Sequence, residues 1–446
     1  IIRFQSTPKT FSLAPTGAVR FTDVFAAFPS SRSHQIGHMA VQEGALYVAV
    51  GDALHSSAGR DLTSVLGKVL RMTLDGKPLP DNPFFTGSAK PQPRDYVWSY
   101  GLRNPFGLVL ADGRLFAAEN GPGVDRFIAI ERAKDYGYDG TDWSMGINAL
   151  AVFAPSVGPA QAAWLPADAS VFPAGHRGAF YLTFGGSVTT PPGPGFRGER
   201  SIVSLPFDMK SGRVTGSAQP ILRYRGESLQ MPVGVAFGSD GLYVVPIFPV
   251  RDGETGILRV SYDPSRTHPA RIDRDESPPV LLATRGCNGC HASYEGRQSI
   301  GPSLDPPALV ARAHDRVTAD AYRRSVLELD ALDEEPYLSY REARKEVLAA
   351  EGRDRVRLWL KYRIMEPRFD TTTSLRPNQG ISAVEADRIA SYFVDNGWGK
   401  DAASGVESDW RARLANRLPR LRYRYFIVTF VLGLAGGAWI ASRRRS

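Results

Sequence analysis

The sequence predicts an all-β propeller over residues 1–265, a small all-α domain over 281–400 and a transmembrane helix over 425–441. A linker at 266–280 and a basic juxtamembrane segment at 401–424 join them. Three observations lead there. A glycine-led strand pattern recurs at roughly 65 residues in the first half. The only two cysteines stand in Cys287-Asn288-Gly289-Cys290-His291. Near the C-terminus an apolar run is bracketed by arginines.

The recurring unit is a glycine and apolar residues, a turn glycine, then an aromatic-containing strand. Gly37 to Val41 leads to Gly44-Ala45-Leu46-Tyr47-Val48, Gly107 to Leu110 leads through Asp112-Gly113 to Leu115-Phe116-Ala117, and Gly234 to Phe237 leads through Asp240-Gly241 to Leu242-Tyr243-Val244. A weaker copy is Arg177-Gly178-Ala179-Phe180-Tyr181. Asp-Gly between β-prone runs marks a hairpin. Strands such as Lys68 to Met72 and Ile257 to Ser261 lie between the copies. A period of this size suits four-stranded blades with long loops, against an alternative of a β-sandwich. About four units fit, fewer than a closed propeller needs, so further blades are expected upstream. Gly193-Pro194-Gly195-Phe196-Arg197-Gly198 has dinucleotide-site spacing, but proline removes the donors such a site needs, which makes it a linker between strands.

The Cys-x-x-Cys-His run puts two thiols on one face of a single turn, each able to add to a vinyl group of one haem, with His291 beneath the iron. A thioredoxin-like pair would need a βαβ context, and a zinc site a second ligand pair at close spacing. Neither is visible. If haem takes both thiols, no disulfide remains. Covalent haem also requires export, so a leader ahead of Ile1 is expected. Composition agrees with a loop-rich β protein, with 44 glycines and 33 prolines in 446 residues. The formal charge of +8 is concentrated in the C-terminal arginines, from Arg411 to Arg445, and gives no argument for nucleic-acid binding.

Gly101-Leu102-Arg103-Asn104-Pro105-Phe106-Gly107-Leu108 resembles the Gly-x-Arg-Asn-Pro-x-Gly-Leu signature of the glucose/sorbosone dehydrogenases, six-bladed propellers that bind pyrroloquinoline quinone (PQQ). Leu66 to Arg71 with Asp75-Gly76 and Asp81-Asn82-Pro83-Phe84, and Glu119-Asn120-Gly121-Pro122 with Asp125 and Tyr136-Gly137-Tyr138, are similar to further blocks of that family. The resemblance implies a catalytic base at His34, cofactor contacts at Arg103 and Asn104, and a calcium ion held by the carbonyls of Gly121 and Pro122. A neutral imidazole removes a hydroxyl proton near pH 7 as a hydride leaves the same carbon. The sequence departs from the family pattern at Ser33, where an Asp commonly precedes the base, at His38 in place of Arg, and at Arg126 in place of an acid. At His34 the residues alone also allow a polar turn ahead of a strand.

After the haem motif, Gly301-Pro302-Ser303-Leu304 resembles the Gly-Pro-x-Leu loop of class I cytochromes c, whose proline carbonyl fixes the ligating imidazole. Ser339 to Arg363 reads as a helix pair broken at Gly352, and Ser382-Ala383-Val384-Glu385 as a capping box opening a last helix with Ala386, Ile389, Tyr392 and Phe393 on one face. Met365 is the expected sixth iron ligand, with His314 or plain core packing of Met365 as alternatives; Glu366 separates Met365 from Pro367 where the family often has Met-Pro. The run Tyr425 to Ala441 spans about 26 Å as a helix, enough to cross with flanking tyrosines and arginines at the interface.

Together these imply a PQQ- and calcium-dependent sugar or polyol dehydrogenase anchored to the bacterial inner membrane and facing the periplasm, with one covalent haem c passing electrons to a downstream cytochrome or oxidase. The departures at Ser33 and Arg126 favour an alternative: a propeller without PQQ, serving as an electron-transfer or scaffold subunit.

Overall fold

The computed structural model describes residues 1–7, 18–26, 31–146, 148–153, 156–186, 200–223, 231–247, 256–265, 277–285, 287, 291, 301–374 and 378–400. A hairpin of β1 (Ile2–Thr7) and β2 (Ala18–Asp23) comes first. The recurring sequence unit then becomes a recurring sheet. β3 (Ile36–Gln42), β4 (Ala45–Val50), β5 (Lys68–Thr73) and β6 (Val97–Tyr100) form an antiparallel meander, and β7 (Gly107–Ala111), β8 (Arg114–Glu119), β9 (Asp125–Ile130) and β10 (Ala151–Phe153) form the next. In the third, β11 (Pro159–Leu165), β12 (Ala179–Phe184) and β13 (Ser201–Asp208) run in order, and β13 pairs on its outer side with both β14 (Arg213–Val214) and β15 (Gln219–Arg223). β16 (Pro232–Gly238), β17 (Gly241–Pro246) and β18 (Leu258–Val260) make a three-stranded fourth sheet.

The first strands of successive sheets stand side by side: β3 against β7, β7 against β11, β11 against β16. The glycine that opens the repeat explains how. A Cβ at Gly37 would lie 2.5 Å from the Phe106 carbonyl oxygen, and one at Gly107 would lie 2.7 Å from that of Ala160. Neighbouring backbones approach closely only because no side chain stands between them. The turn glycines have a separate role. Glu43 and Gly44, and Asp112 and Gly113, all have positive φ, as two-residue hairpin turns with the right twist require.

The aromatic strand of each repeat is the second strand of its sheet, buried on both faces in the first three sheets and on one face in the fourth, where Leu242 and Val244 are buried and Val245 is exposed. Tyr47 and Ala49 of β4 meet Leu108, Leu115 and Ala117 of the second sheet, while Leu46, Val48 and Val50 face the other way. Phe116 of β8 and Phe180 of β12 have ring centroids 4.7 Å apart, with Phe127 and Phe207 around them. Tyr181 and Ile202 pack against Val235, Leu242 and Val244 of the fourth sheet. Each fully buried Val, Leu, Ile or Phe among them contributes about 1.5–3 kcal/mol. The arrangement is blade-like, but where six blades are implied by resemblance, the described residues form an open row of four sheets and a hairpin.

Besides the short α1 (Asp142–Met145), helices occupy the C-terminal half: α2 (Pro278–Thr284), α3 (Pro306–Thr318), α4 (Asp320–Asp330), α5 (Arg341–Ala349), α6 (Gly352–Met365) and α7 (Ala383–Gly397). The linker expected to run to 280 stops earlier. Pro278 and Pro279 open α2, where a first-turn proline loses no helical hydrogen bond. Gly352, at φ +50°, opens α6 just after α5 ends. The Ser382–Glu385 capping box is formed, and Ala386, Ile389, Ala390, Phe393 and Val394 of α7 join Leu281, Val310, Val356, Trp359 and Phe369 in one core. Among the described residues no helix is long and apolar enough to cross a membrane. The run 425–441 and Cys290 lie outside the described residues.

Candidate active site

In an antiparallel meander the start of the first strand and the end of the second lie at the same end of the sheet. His34 precedes β3 and Asp52 follows β4; Arg103 and Asn104 precede β7, and Asn120 to Pro122 follow β8. All therefore stand at one end of the first two sheets. Direct bonds tie them together. His34 Nδ1 and Asp52 Oδ1 are 2.6 Å apart, with both side chains nearly buried at 8% and 2% exposure. The Asp52 N–H donates to the Arg103 carbonyl at 2.6 Å, and the Asn120 N–H to the Asn104 carbonyl at 3.0 Å. Asp52 Oδ1 also accepts from the Leu54 N–H, at 3.0 Å.

The carboxylate that resemblance would put at Ser33 is thus supplied by Asp52, across the β3–β4 hairpin. His34 has φ +54° and its carbonyl accepts from the Ala53 N–H at 3.3 Å, so its backbone is fixed by the same segment that fixes its ring. With Nδ1 on the carboxylate, the other ring nitrogen is the one left for a proton acceptor. Which nitrogen carries the proton follows from this hydrogen-bond pattern.

Arg103 is gripped at both ends. Its N–H donates to Glu119 Oε1 at 2.5 Å, and Nη1 donates to the Asn120 carbonyl at 2.7 Å. Glu119 in turn accepts from Arg126 Nε at 2.6 Å, both fully buried and directly opposed on β8 and β9. Arg126 also donates to the carbonyls of Tyr136 and Ser144 at 3.2 Å. The departure at Arg126 is therefore an internal strut behind Arg103. Burial raises the Tyr138 phenol pKa, and the neighbouring Arg103 opposes that rise.

The loop carrying Gly121 and Pro122 is held by Asp125. Its Oδ1 accepts from the Gly121 N–H at 2.8 Å, and Oδ2 from Val157 and Gly158 at 2.6 and 2.8 Å, which joins the second and third sheets. Burial pushes Asp125 up to about 6 against those three donors. A Cβ at Gly121 would overlap the Val124 carbonyl oxygen, so the loop closes only around glycine. Among the described residues no three His, Cys, Asp or Glu side chains gather into a metal-binding group, so a calcium ion here would rely on backbone carbonyls. Behind the site, buried Lys68 donates to the carbonyls of Ala58, Gly59 and Leu66 at 2.7–2.8 Å. Gly59 and Gly67 then accept from Gly101 and Leu102, at 2.7 and 3.1 Å, just ahead of Arg103. Asp52 went unmarked by the sequence, and Glu119 and Lys68 stood in family-like blocks without a role; the available signal was their place at strand ends shared with His34 and Arg103.

In the helical part, His291 Nδ1 lies 2.7 Å from the Pro302 carbonyl oxygen. A Cβ at Gly301 would come within 2.5 Å of His291 Cε1. Cys287 and Met365 pack against the same apolar core. His314 is half-buried on α3, edge-on to Trp398 with centroids 5.6 Å apart.

The Glucose / Sorbosone dehydrogenase family profile matches residues 10–163. The aldose sugar dehydrogenase YliI of Escherichia coli is 34% identical over 134 residues, 29% of this chain and 35% of that protein. Quinoprotein glucose dehydrogenase B of Acinetobacter calcoaceticus is 32% identical over 138 residues, 26% of this chain and 28% of that protein. The matched stretch thus spans about a third of these relatives' length. Among solved structures, a PQQ-bound aldose sugar dehydrogenase from Streptomyces coelicolor aligns at 26% identity and TM-score 0.41 over 55% of this chain and 66% of its own. A glucose dehydrogenase aligns at 23% identity and TM-score 0.44 over 55% and 68%. The segment that carries His34, Asp52, Arg103 and Asp125 is accordingly similar to the glucose/sorbosone dehydrogenases, and the chain is sugar dehydrogenase-like over residues 10–163.

Proposed function

We propose that the chain is a quinoprotein dehydrogenase that oxidises an aldose or polyol at the end of the sheets bearing His34. The observation that carries the reading is the His34–Asp52 pair, tied through the Asp52 N–H to Arg103. His34 takes the hydroxyl proton of the substrate at the nitrogen remote from Asp52, and Asp52 holds the ring and balances the charge gained. Arg103, fixed by Glu119 and Asn120, sets a cation beside the site, suited to an anionic cofactor oxygen. PQQ, when bound, supplies the two-electron acceptor for the substrate hydride, and calcium at the Gly121 and Pro122 carbonyls would polarise it. The chemistry of the donors fits both groups: a base held by a carboxylate, a guanidinium, and a glycine loop clamped by Asp125.

The helical part fits a c-type haem. Pro302 holds one nitrogen of His291 and leaves the other for iron, and Gly301 leaves the ring room. Cys287 and Cys290 would carry the thioether bonds, Met365 the sixth ligand, and the apolar run 425–441 the anchor to an inner membrane with the folded parts in the periplasm. Haem c supplies a one-electron carrier toward a downstream cytochrome or oxidase. The departures that favoured a scaffold without PQQ have local accounts, since Asp52 replaces the acid missing at Ser33 and Arg126 supports Glu119. The experiment is reconstitution of the whole chain with PQQ and calcium, followed by aldoses and a dye acceptor. Substrate-dependent dye reduction with bleaching of the oxidised haem spectrum is expected. No turnover, with a haem spectrum present, would leave the scaffold reading standing.

A further inference from the structure

We propose that the helical part is docked on the outer hairpin of the third sheet by Glu366, inserted against Arg213, so that the Met365 end keeps one fixed orientation toward the β-rich part. Glu366 directly follows α6 and is 2% exposed. A carboxylate withdrawn from water this far needs charged or donor partners. It has them from both sides. Arg213 Nη1 of β14 lies 3.3 Å from Glu366 Oε2. The same oxygen accepts from Asn378 Nδ2 at 3.1 Å, and Oε1 from the Arg368 N–H at 3.0 Å.

A second contact lies beside the ion pair and is linked to it through Asn378. Asn378 Oδ1 accepts from the Gly380 N–H at 2.8 Å, which sets Gly380 at φ +61°. A Cβ on Gly380 would overlap the backbone carbonyl of Gly216, just past β14. Two backbones from distant parts of the chain thus meet where both residues are glycine. A Cβ on Gly216 would in turn stand 3.1 Å from the ring of Pro206 on β13. The Tyr340 hydroxyl senses both charges: burial raises its pKa to about 12, Glu366 adds to the rise and Arg213 opposes it.

The docking gives Glu366 a purpose. It stands between Met365 and Pro367, where the cytochrome resemblance leads one to expect Met-Pro, and its carboxylate joins Asn378 and the Arg368 N–H of its own part to Arg213 outside it. Asp370, four residues further on, is fully buried and bound by Trp359, Arg316 and Arg363, so the segment after Met365 is fixed internally as well. If the helical part carries haem, the iron's Met365 side sits at a constant distance from the sheets. That consequence rests on the haem reading; the docking does not.

The test is hydrogen–deuterium exchange of the whole chain, read peptide by peptide. Arg213→Glu is expected to raise exchange about tenfold in peptides covering 366–381 as well as in 206–216, the loss of a charged hydrogen-bonding partner. Adding Glu366→Arg to it should return most of the protection. As a second arm, Gly380→Asn keeps the left-handed backbone, which asparagine tolerates, but forces a side chain toward Gly216. It should raise exchange in 206–216. Exchange that rises only in the peptide bearing the substitution, in both arms, overturns the proposal. The haem spectrum of the same samples is read separately, so absence of haem and absence of docking are distinguishable.

Discussion

Asp52→Asn is the sharpest test of the site. The substitution keeps the side chain's shape and, through Oδ1, its bond from the Leu54 N–H. It also keeps a hydrogen-bond acceptor for His34 Nδ1, now 2.6 Å from a carboxylate oxygen. What disappears is the negative charge beside an imidazole that becomes cationic as it takes the substrate proton. A hydrogen bond to a charged group is worth about 1.5–3 kcal/mol. With each 1.36 kcal/mol worth tenfold in rate, kcat should fall about 10- to 150-fold. KM should change little, because the substrate does not need a charged imidazole to bind. The assay is steady-state aldose oxidation with PQQ and calcium at saturation, alongside thermal unfolding to show that the fold is intact. An Asp52→Asn protein with wild-type kcat would refute the assignment of His34 as an Asp52-supported base.

Arg126→Met should destabilise the chain by about 3–5 kcal/mol in denaturant unfolding, since it leaves buried Glu119 charged with only its bond from the Arg103 N–H, and Arg126→Met with Glu119→Leu should recover part of that. If the helical part carries haem c as proposed, Gly301→Ala should displace the His291 ring and abolish a low-spin haem spectrum while the far-ultraviolet helix signal persists; an unchanged spectrum would count against His291 as ligand. Lys68 is lowered to about 8 by burial, with Asp61 and Asp135 opposing, so between about pH 8 and the ordinary lysine range the unfolded chain binds the extra proton. Stability should therefore rise with pH across that window by up to about 3 kcal/mol relative to Lys68→Met, and parallel pH profiles of the two proteins would refute the shift.

The blade pattern was legible because it is local. Gly37, Gly107 and Gly234 mark first strands, and the aromatic runs mark second strands, so period and composition carry the sheets. The capping box at Ser382 and the break at Gly352 are likewise fixed within a few residues. His34 and Arg103 stood out by motif, but the pairings that hold them did not. Asp52 meets His34 across a hairpin, and Glu119 meets Arg126 through strand register, so neither pairing has a sequence spacing of its own.

The sequence by itself determined which residues can do chemistry: an imidazole, a guanidinium, a glycine loop, a Cys-x-x-Cys-His turn. Side-chain type and short-range backbone preference are properties of a few neighbouring residues, and they survive without any fold. Only the tertiary structure decided which carboxylate serves His34, that Arg126 supports rather than lines the site, and that Glu366 reaches Arg213. Those pairings depend on where antiparallel strands end and where separate parts of the chain touch, and burial then makes each buried charge take the partner that packing brings to it.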